Sequence, residues 1–332
     1  MSGGNRWRLC VFTCRFYQCR PVNLAVPAAL LAACVLAASW ANADGEDIEG
    51  LDEQQTGAGY AHLISFEAEP EIAAANYTVD AEDSSTGDAD INSFKLPLYR
   101  EFSNEDHDWK WYAQGSLSYL TLDQTFRFNL APDQKESIDM EWTAFGGLVE
   151  AGFIFPLSRG FSLVSGMGLG VSHLENDADF SSASLEQVLP PEFDGRLYDW
   201  DTNAALVRGN LGLRYDQLHG EFRVKGSVNL SYSYIDSFDE SSNFSAFDDH
   251  AGTFTFKLDA RYPLERQIHK HPLYLIGHVG NTTFVGNNRN SLGFKYFNEL
   301  GASLGVEKIT FGALVLLGSD VEGWTVVLNY AY

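Results

Sequence analysis

The sequence predicts an all-β fold, a transmembrane antiparallel up-and-down β-barrel of about 12 strands, and three observations lead there. The first is a stretch from Glu221 to Tyr234 that alternates without a break. Phe222, Val224, Gly226, Val228, Leu230, Tyr232 and Tyr234 occupy one side. Glu221, Arg223, Lys225, Ser227, Asn229, Ser231 and Ser233 occupy the other. Strand side chains point alternately to opposite faces, and a tilted strand needs about 9–11 residues to cross a bilayer. The second observation is an even number of such segments, joined by alternately short and long connections. The third is that, beyond residue 43, no run of 18 apolar residues occurs, so a membrane protein made of this chain crosses as a barrel.

The elements follow in order. Residues 1–43 read as a signal peptide: Arg6, Arg8, Arg15 and Arg20 precede the apolar run Leu24 to Ser39, and Ala41-Asn42-Ala43 offers a small-x-small cleavage site. Leu31-Ala32-Ala33-Cys34 resembles a lipobox, so lipidation at Cys34 stays open as a rival. Residues 44–58 form an acidic lead-in without period. The barrel is expected over 59–332, with strands at 59–67, 91–102, 109–127, 141–156, 161–175, 203–217, 220–236, 251–263, 272–285, 291–307, 309–318 and 322–332. Short connections such as Ser158-Arg159-Gly160 face the periplasm, and long acidic ones (about 68–90, 128–140, 176–202 and 237–250) face outward. A soluble β-sandwich also alternates, but it explains neither the strand lengths nor the regular connections.

Charge and cysteine usage narrow the function. All four cysteines, Cys10, Cys14, Cys19 and Cys34, precede the barrel, so it has no disulfide or thiolate metal site. Removing residues 1–43 leaves 18 basic against 45 acidic side chains, a formal charge of −27. Nucleic acid is thereby excluded as a partner, because phosphate contacts need surplus Lys and Arg.

The face opposite lipid gathers Arg208, Arg214, Asp216, Glu221, Arg223, Lys225, Lys257, Asp259 and Arg261 on three successive strands, six basic and three acidic. They are the predicted lumen lining. They belong either to an ion-selective lumen with a local preference for anions or to a ladder of ion pairs filling a closed interior. No cofactor or metal site is expected: the acidic loops lack EF-hand spacing, and His269 and His271 beside Arg266 make two ligands without a third. A search for a nucleophile and base finds His278 and Ser303 on neighbouring strands and His173 beside Ser172, with nothing in the local sequence to orient a triad. The chain is therefore not expected to be an enzyme, and an outer-membrane hydrolase is the weakest alternative.

The last strand reads Trp324-Thr325-Val326-Val327-Leu328-Asn329-Tyr330-Ala331-Tyr332. It resembles the signal by which the barrel-assembly machinery recognises outer-membrane proteins: a polar Thr325, then the alternating aromatics Tyr330 and Tyr332, with Val327 where that pattern has Gly. With about twelve strands filling the mature chain, the whole resembles the solitary outer-membrane autotransporter-like β-barrel family, a translocator-like barrel without passenger. That resemblance implies a Gram-negative outer-membrane location, lipid and the assembly machinery as partners, and a structural, surface or transport role. A passive porin-like channel for small solutes is the alternative. Oligomeric state is left open.

Overall fold

A computed structural model describes residues 74–80, 86–103, 107–131, 134–183, 195, 198–241, 244–286, 294–307 and 309–330. The predicted signal peptide, the lead-in, the 59–67 segment and Tyr332 lie outside them.

Twelve strands form one closed antiparallel barrel in which each strand pairs with its sequence neighbours and the first pairs with the last. They are β1 (Ala74–Val79), β2 (Thr86–Ser103), β3 (Lys110–Ala131), β4 (Gln134–Ser158), β5 (Phe161–Phe180), β6 (Trp200–His219), β7 (Phe222–Phe238), β8 (Asp248–Ile268), β9 (His271–Gly286), β10 (Tyr296–Val306), β11 (Ile309–Gly318) and β12 (Val321–Tyr330). Closure gives every strand two partners and removes the sheet edge that lipid does not tolerate.

The number of strands matches the expectation, and several boundaries do not. The place expected for 59–67 is held by β1, inside what read as the first outer loop, where its register with β12 and β2 completes the ring. The expected loop at 128–140 is instead a hairpin in which β3 and β4 stay paired out to Ala131 and Gln134. Acidic composition masked that pairing: Asp139 accepts a hydrogen bond from Thr125 across the hairpin, at 2.6 Å. The expected long connection at 264–271 is also a hairpin. β8 runs to Ile268 through an irregularity after Pro263, and His269 and Lys270 make the turn at φ 52° and 74°, the left-handed values a two-residue hairpin turn requires.

Alternation sorts the two faces. Outward positions carry large apolar side chains in water-accessible positions, among them Phe94 and Leu98 on β2, Val149 on β4, Leu169 on β5, Leu300 on β10 and Phe311 on β11. A continuous apolar belt on a soluble surface would aggregate, whereas in a bilayer it is the lipid face. In β7, Phe222, Leu230, Tyr232 and Tyr234 face out while Ser231 and Ser233 are buried inside. Phe222 packs on Tyr262 at the short-turn end, with ring centroids 4.9 Å apart.

The inner face is divided by height. Toward the long-loop end a dry apolar layer receives residues from all twelve strands, including Tyr77, Ile91, Leu120, Ala144, Leu174, Leu206, Ile235, Ala251, Phe284, Phe297, Leu316 and Val321. Tyr77 on β1 meets Phe297 on β10 at 5.7 Å, two strands beyond its ladder partner. Burial of this layer supplies hydrophobic stabilisation at roughly 25 cal/mol per Å² of apolar surface. The inner face toward the short-turn end is polar and forms the candidate site.

Candidate functional site

Four polar clusters line the short-turn half. The first is built on side-chain-free positions. In register across the wall stand Tyr112 on β3, Gly152 on β4, Gly166 on β5 and Asn210 on β6. Two glycines in that row let the Tyr112 ring lie flat along the wall. A Cβ on Gly166 would fall onto the Tyr112 hydroxyl and within 2.9 Å of Glu150 Oε1. The Tyr112 hydroxyl donates to Glu150 Oε1 at 2.6 Å, and the Asn210 amide donates to the same oxygen at 3.1 Å. Arg208 Nε stands 3.9 Å from Glu150 Oε2, with both side chains fully enclosed. Removing one member of such a buried pair leaves the other charge uncompensated, at a cost of about 3–5 kcal/mol.

The second cluster straps β6 to β2. Arg214 Nη1 donates to the Tyr99 hydroxyl at 2.8 Å, and Tyr99 donates to Glu101 Oε1 at 2.9 Å. Lys110 bonds the other Glu101 oxygen at 3.1 Å. The third is a forked pair at the rim, where Arg223 donates from Nε and Nη2 to the two Asp216 oxygens at 2.7 and 2.9 Å. Both side chains are well exposed, so this pair adds little stability.

The fourth cluster lies on β8, β9 and β10. Asp259 and His278 are direct cross-strand partners, and Ser303 sits diagonally from His278, across from Ile276. Diagonal neighbours lie within reach of long side chains. His278 Nδ1 meets Asp259 Oδ1 at 2.7 Å, and its Nε2 meets Ser303 Oγ at 2.6 Å. Because a carboxylate only accepts, the proton belongs on Nδ1 and Nε2 accepts from the serine hydroxyl. Beside this row Lys225 stands across from Asp259 in register, and Arg261 lies over the Tyr274 ring at 3.3 Å.

Of the predicted lumen residues, Arg208, Arg214, Asp216, Arg223, Lys225, Lys257, Asp259 and Arg261 stand on the inward-pointing positions of β6, β7 and β8. Lys257 lies 4.0 Å from Glu299. Glu221 does not join them: with Gly220 at φ 64° it forms the β6–β7 turn at the rim. The tight turn consumes the residue that alternation alone assigned to the strand.

The other candidates separate. His173 and Ser172 point to opposite faces, His173 to Asn203 outside and Ser172 inward toward the Phe145 carbonyl. His271 pairs with Glu307 at 2.6 Å, away from His269 in the turn. Thr325 is inward and buried, and its hydroxyl donates to the Ala74 carbonyl at 2.7 Å across the β12–β1 seam. Tyr330 ends β12, and its side chain lies outside the described part, as does Tyr332. What the sequence reading missed is Asp259 as the third partner of His278 and Ser303. The alternation that placed Asp259 inside was legible, but pairing it with His278 needs the register.

The model of the solitary outer membrane autotransporter β-barrel domain matches residues 63–332. The chain belongs to that family. Solved structures similar to this solitary autotransporter barrel include the transport unit of the autotransporter AIDA-I from Escherichia coli, with a TM-score of 0.51 at 8% identity, covering 85% of this chain and 100% of that one. The translocator domain of NalP from Neisseria meningitidis has a TM-score of 0.49 at 9% identity, covering 93% and 100%. The β-domain of the Bordetella autotransporter BrkA has 0.47 at 15% identity, covering 78% and 98%. At 8% identity the likeness to the AIDA-I transport unit speaks for the fold alone. No match was found among curated proteins.

Proposed function

We propose that this solitary autotransporter barrel is a closed, lipid-embedded scaffold of a Gram-negative outer membrane, with a structural or surface role rather than that of an open pore. In this reading residues 1–43 are a signal peptide removed on export. The long loops face outward, the short turns face the periplasm, and Thr325, Tyr330 and Tyr332 engage the barrel-assembly machinery. The observation that carries it is the dry apolar layer fed by every strand, since a hydrophobic constriction resists wetting and ion passage.

Planar-bilayer recording of the purified full barrel tests it. The unaltered protein is expected to insert without steady conductance, and ohmic conductance at low voltage would overturn the closed reading in favour of a porin-like channel. The charge on the inner face supports one preference for such a channel. Six basic inward side chains, Arg208, Arg214, Arg223, Lys225, Lys257 and Arg261, oppose three acidic ones, Asp216, Asp249 and Asp259, on β6–β8. A conducting form would then select anions, and Arg208→Ala with Arg223→Ala would weaken that preference.

A further inference from the structure

The closed-scaffold reading leaves the row Asp259, His278 and Ser303 without a role. We propose that this row is a nucleophilic site, with Ser303 as nucleophile, His278 as general base and Asp259 as the group that orients it, acting on small esters that carry an anionic group.

Geometry carries the proposal. Nucleophile to base is 2.6 Å and base to carboxylate 2.7 Å, each ring nitrogen serving one partner, which is the relation that activates a hydroxyl in otherwise unrelated folds. Three neighbouring strands hold the groups, so hydrogen-bonded backbone fixes their spacing and a site on rigid elements stays in register. A solvent gradient runs along the row: the Asp259 side chain is 41% exposed and that of His278 14%, while Ser303 is 2% exposed. The row is thus open at its Asp259 end and enclosed at Ser303. Gly312 makes room there, because a Cβ on it would overlap Ser303 Oγ.

Charge sets the substrate class. Backbone amides around Ser303 are spent in the ladder with β9 and β11, so positive side chains must face the developing negative charge. Arg261 flanks Ile276 in the same cross-strand row as Ser303, and Lys225 stands beside Asp259. These two cations suit an ester whose acyl part ends in a carboxylate or phosphate.

Ser303 Oγ forms a bond to the carbonyl carbon as its proton passes to His278 Nε2, and Asp259 holds the Nδ1 proton. The bond from carbon to the leaving oxygen then breaks, and His278 returns the proton to that oxygen, releasing the alcohol. Water attacks the acyl-serine by the same route, which frees the acid and restores Ser303.

The test is covalent labelling of the folded full-length barrel with diisopropyl fluorophosphate, which bonds phosphorus to an activated serine oxygen and expels fluoride. Mass spectrometry is expected to find the adduct on Ser303, absent from Ser303→Ala. Labelling of His278→Gln, whose folding is checked by gel migration before and after heating, is expected to slow by on the order of 10²-fold or more. Asp259→Asn serves if His278→Gln does not fold. An unlabelled wild-type barrel, or one labelled no faster than His278→Gln, would overturn the proposal. Turnover of 4-nitrophenyl hemisuccinate no faster than that of 4-nitrophenyl acetate would overturn the anionic substrate class. Neither result bears on conductance, so the scaffold reading stands or falls separately.

Discussion

Gly166 shows how much a single missing side chain arranges. Its inward position is filled by the Tyr112 hydroxyl and Glu150, so that residues from β3, β4 and β6 meet over β5. Gly166→Ala should therefore force Tyr112 off its rotamer and cost about 1–3 kcal/mol, the range for overpacking a filled interior. Gly209 is the contrast, since it faces outward and an added Cβ meets nothing nearer than 3.9 Å. Gly209→Ala should shift stability by no more than about 0.5 kcal/mol. Urea midpoints of the two variants in detergent micelles check the difference, and equal midpoints would show that the cluster does not depend on the gap. Residue types alone placed Arg208, Lys257 and Asp259 on the inner face, because period-two alternation fixes which side they take. Residue types did not show that Glu150 binds Tyr112, or that Asp259 and not another acid reaches His278. Those choices follow from register, which relates residues tens of positions apart.

At the scale of the strand, β5 carries both halves of the design. Met167, Leu169 and Val171 point out, while Gly166, Gly168 and Gly170 lie between them along the inner face. Leu169 is 62% exposed in water, a position that only lipid makes favourable. Leu169→Arg should cost about 2–4 kcal/mol if it sits near the bilayer midplane. Equilibrium refolding into phospholipid vesicles measures that cost, and an unchanged midpoint would move the lipid belt elsewhere. Most strands were legible because a spanning strand repeats its pattern long enough to stand out. β1 was not: Ala74-Ala75-Asn76-Tyr77-Thr78-Val79 is short and lies among acidic residues, so its two apolar inward neighbours of Tyr77 look incidental until β2 and β12 flank them. The β3–β4 hairpin hid for the opposite reason, since strands that continue past the membrane lose their apolar face and read as loop.

Seen whole, the molecule is a ring with two interiors, a dry apolar layer toward the long loops and a charged vestibule toward the short turns. A closed ring of paired strands should stay compact in detergent until heated. Electrophoresis without and with boiling is expected to give two mobilities, and a single mobility under both conditions would contradict a closed barrel. The fold class was legible because strand length, alternation and connection length all pointed the same way. The apolar layer was not, since inward Leu206 and Ile235 occupy positions that a barrel with a wet lumen would fill with polar groups. One feature of the ring concerns time rather than space. The bond from Thr325 to the Ala74 carbonyl joins positions 251 residues apart, so the first strand to leave the ribosome pairs with the last. Until Val321–Tyr330 has been made, the growing sheet has two raw edges, each able to template a neighbour's strand. The edges of the ring are thus protected only from the moment β12 docks on β1.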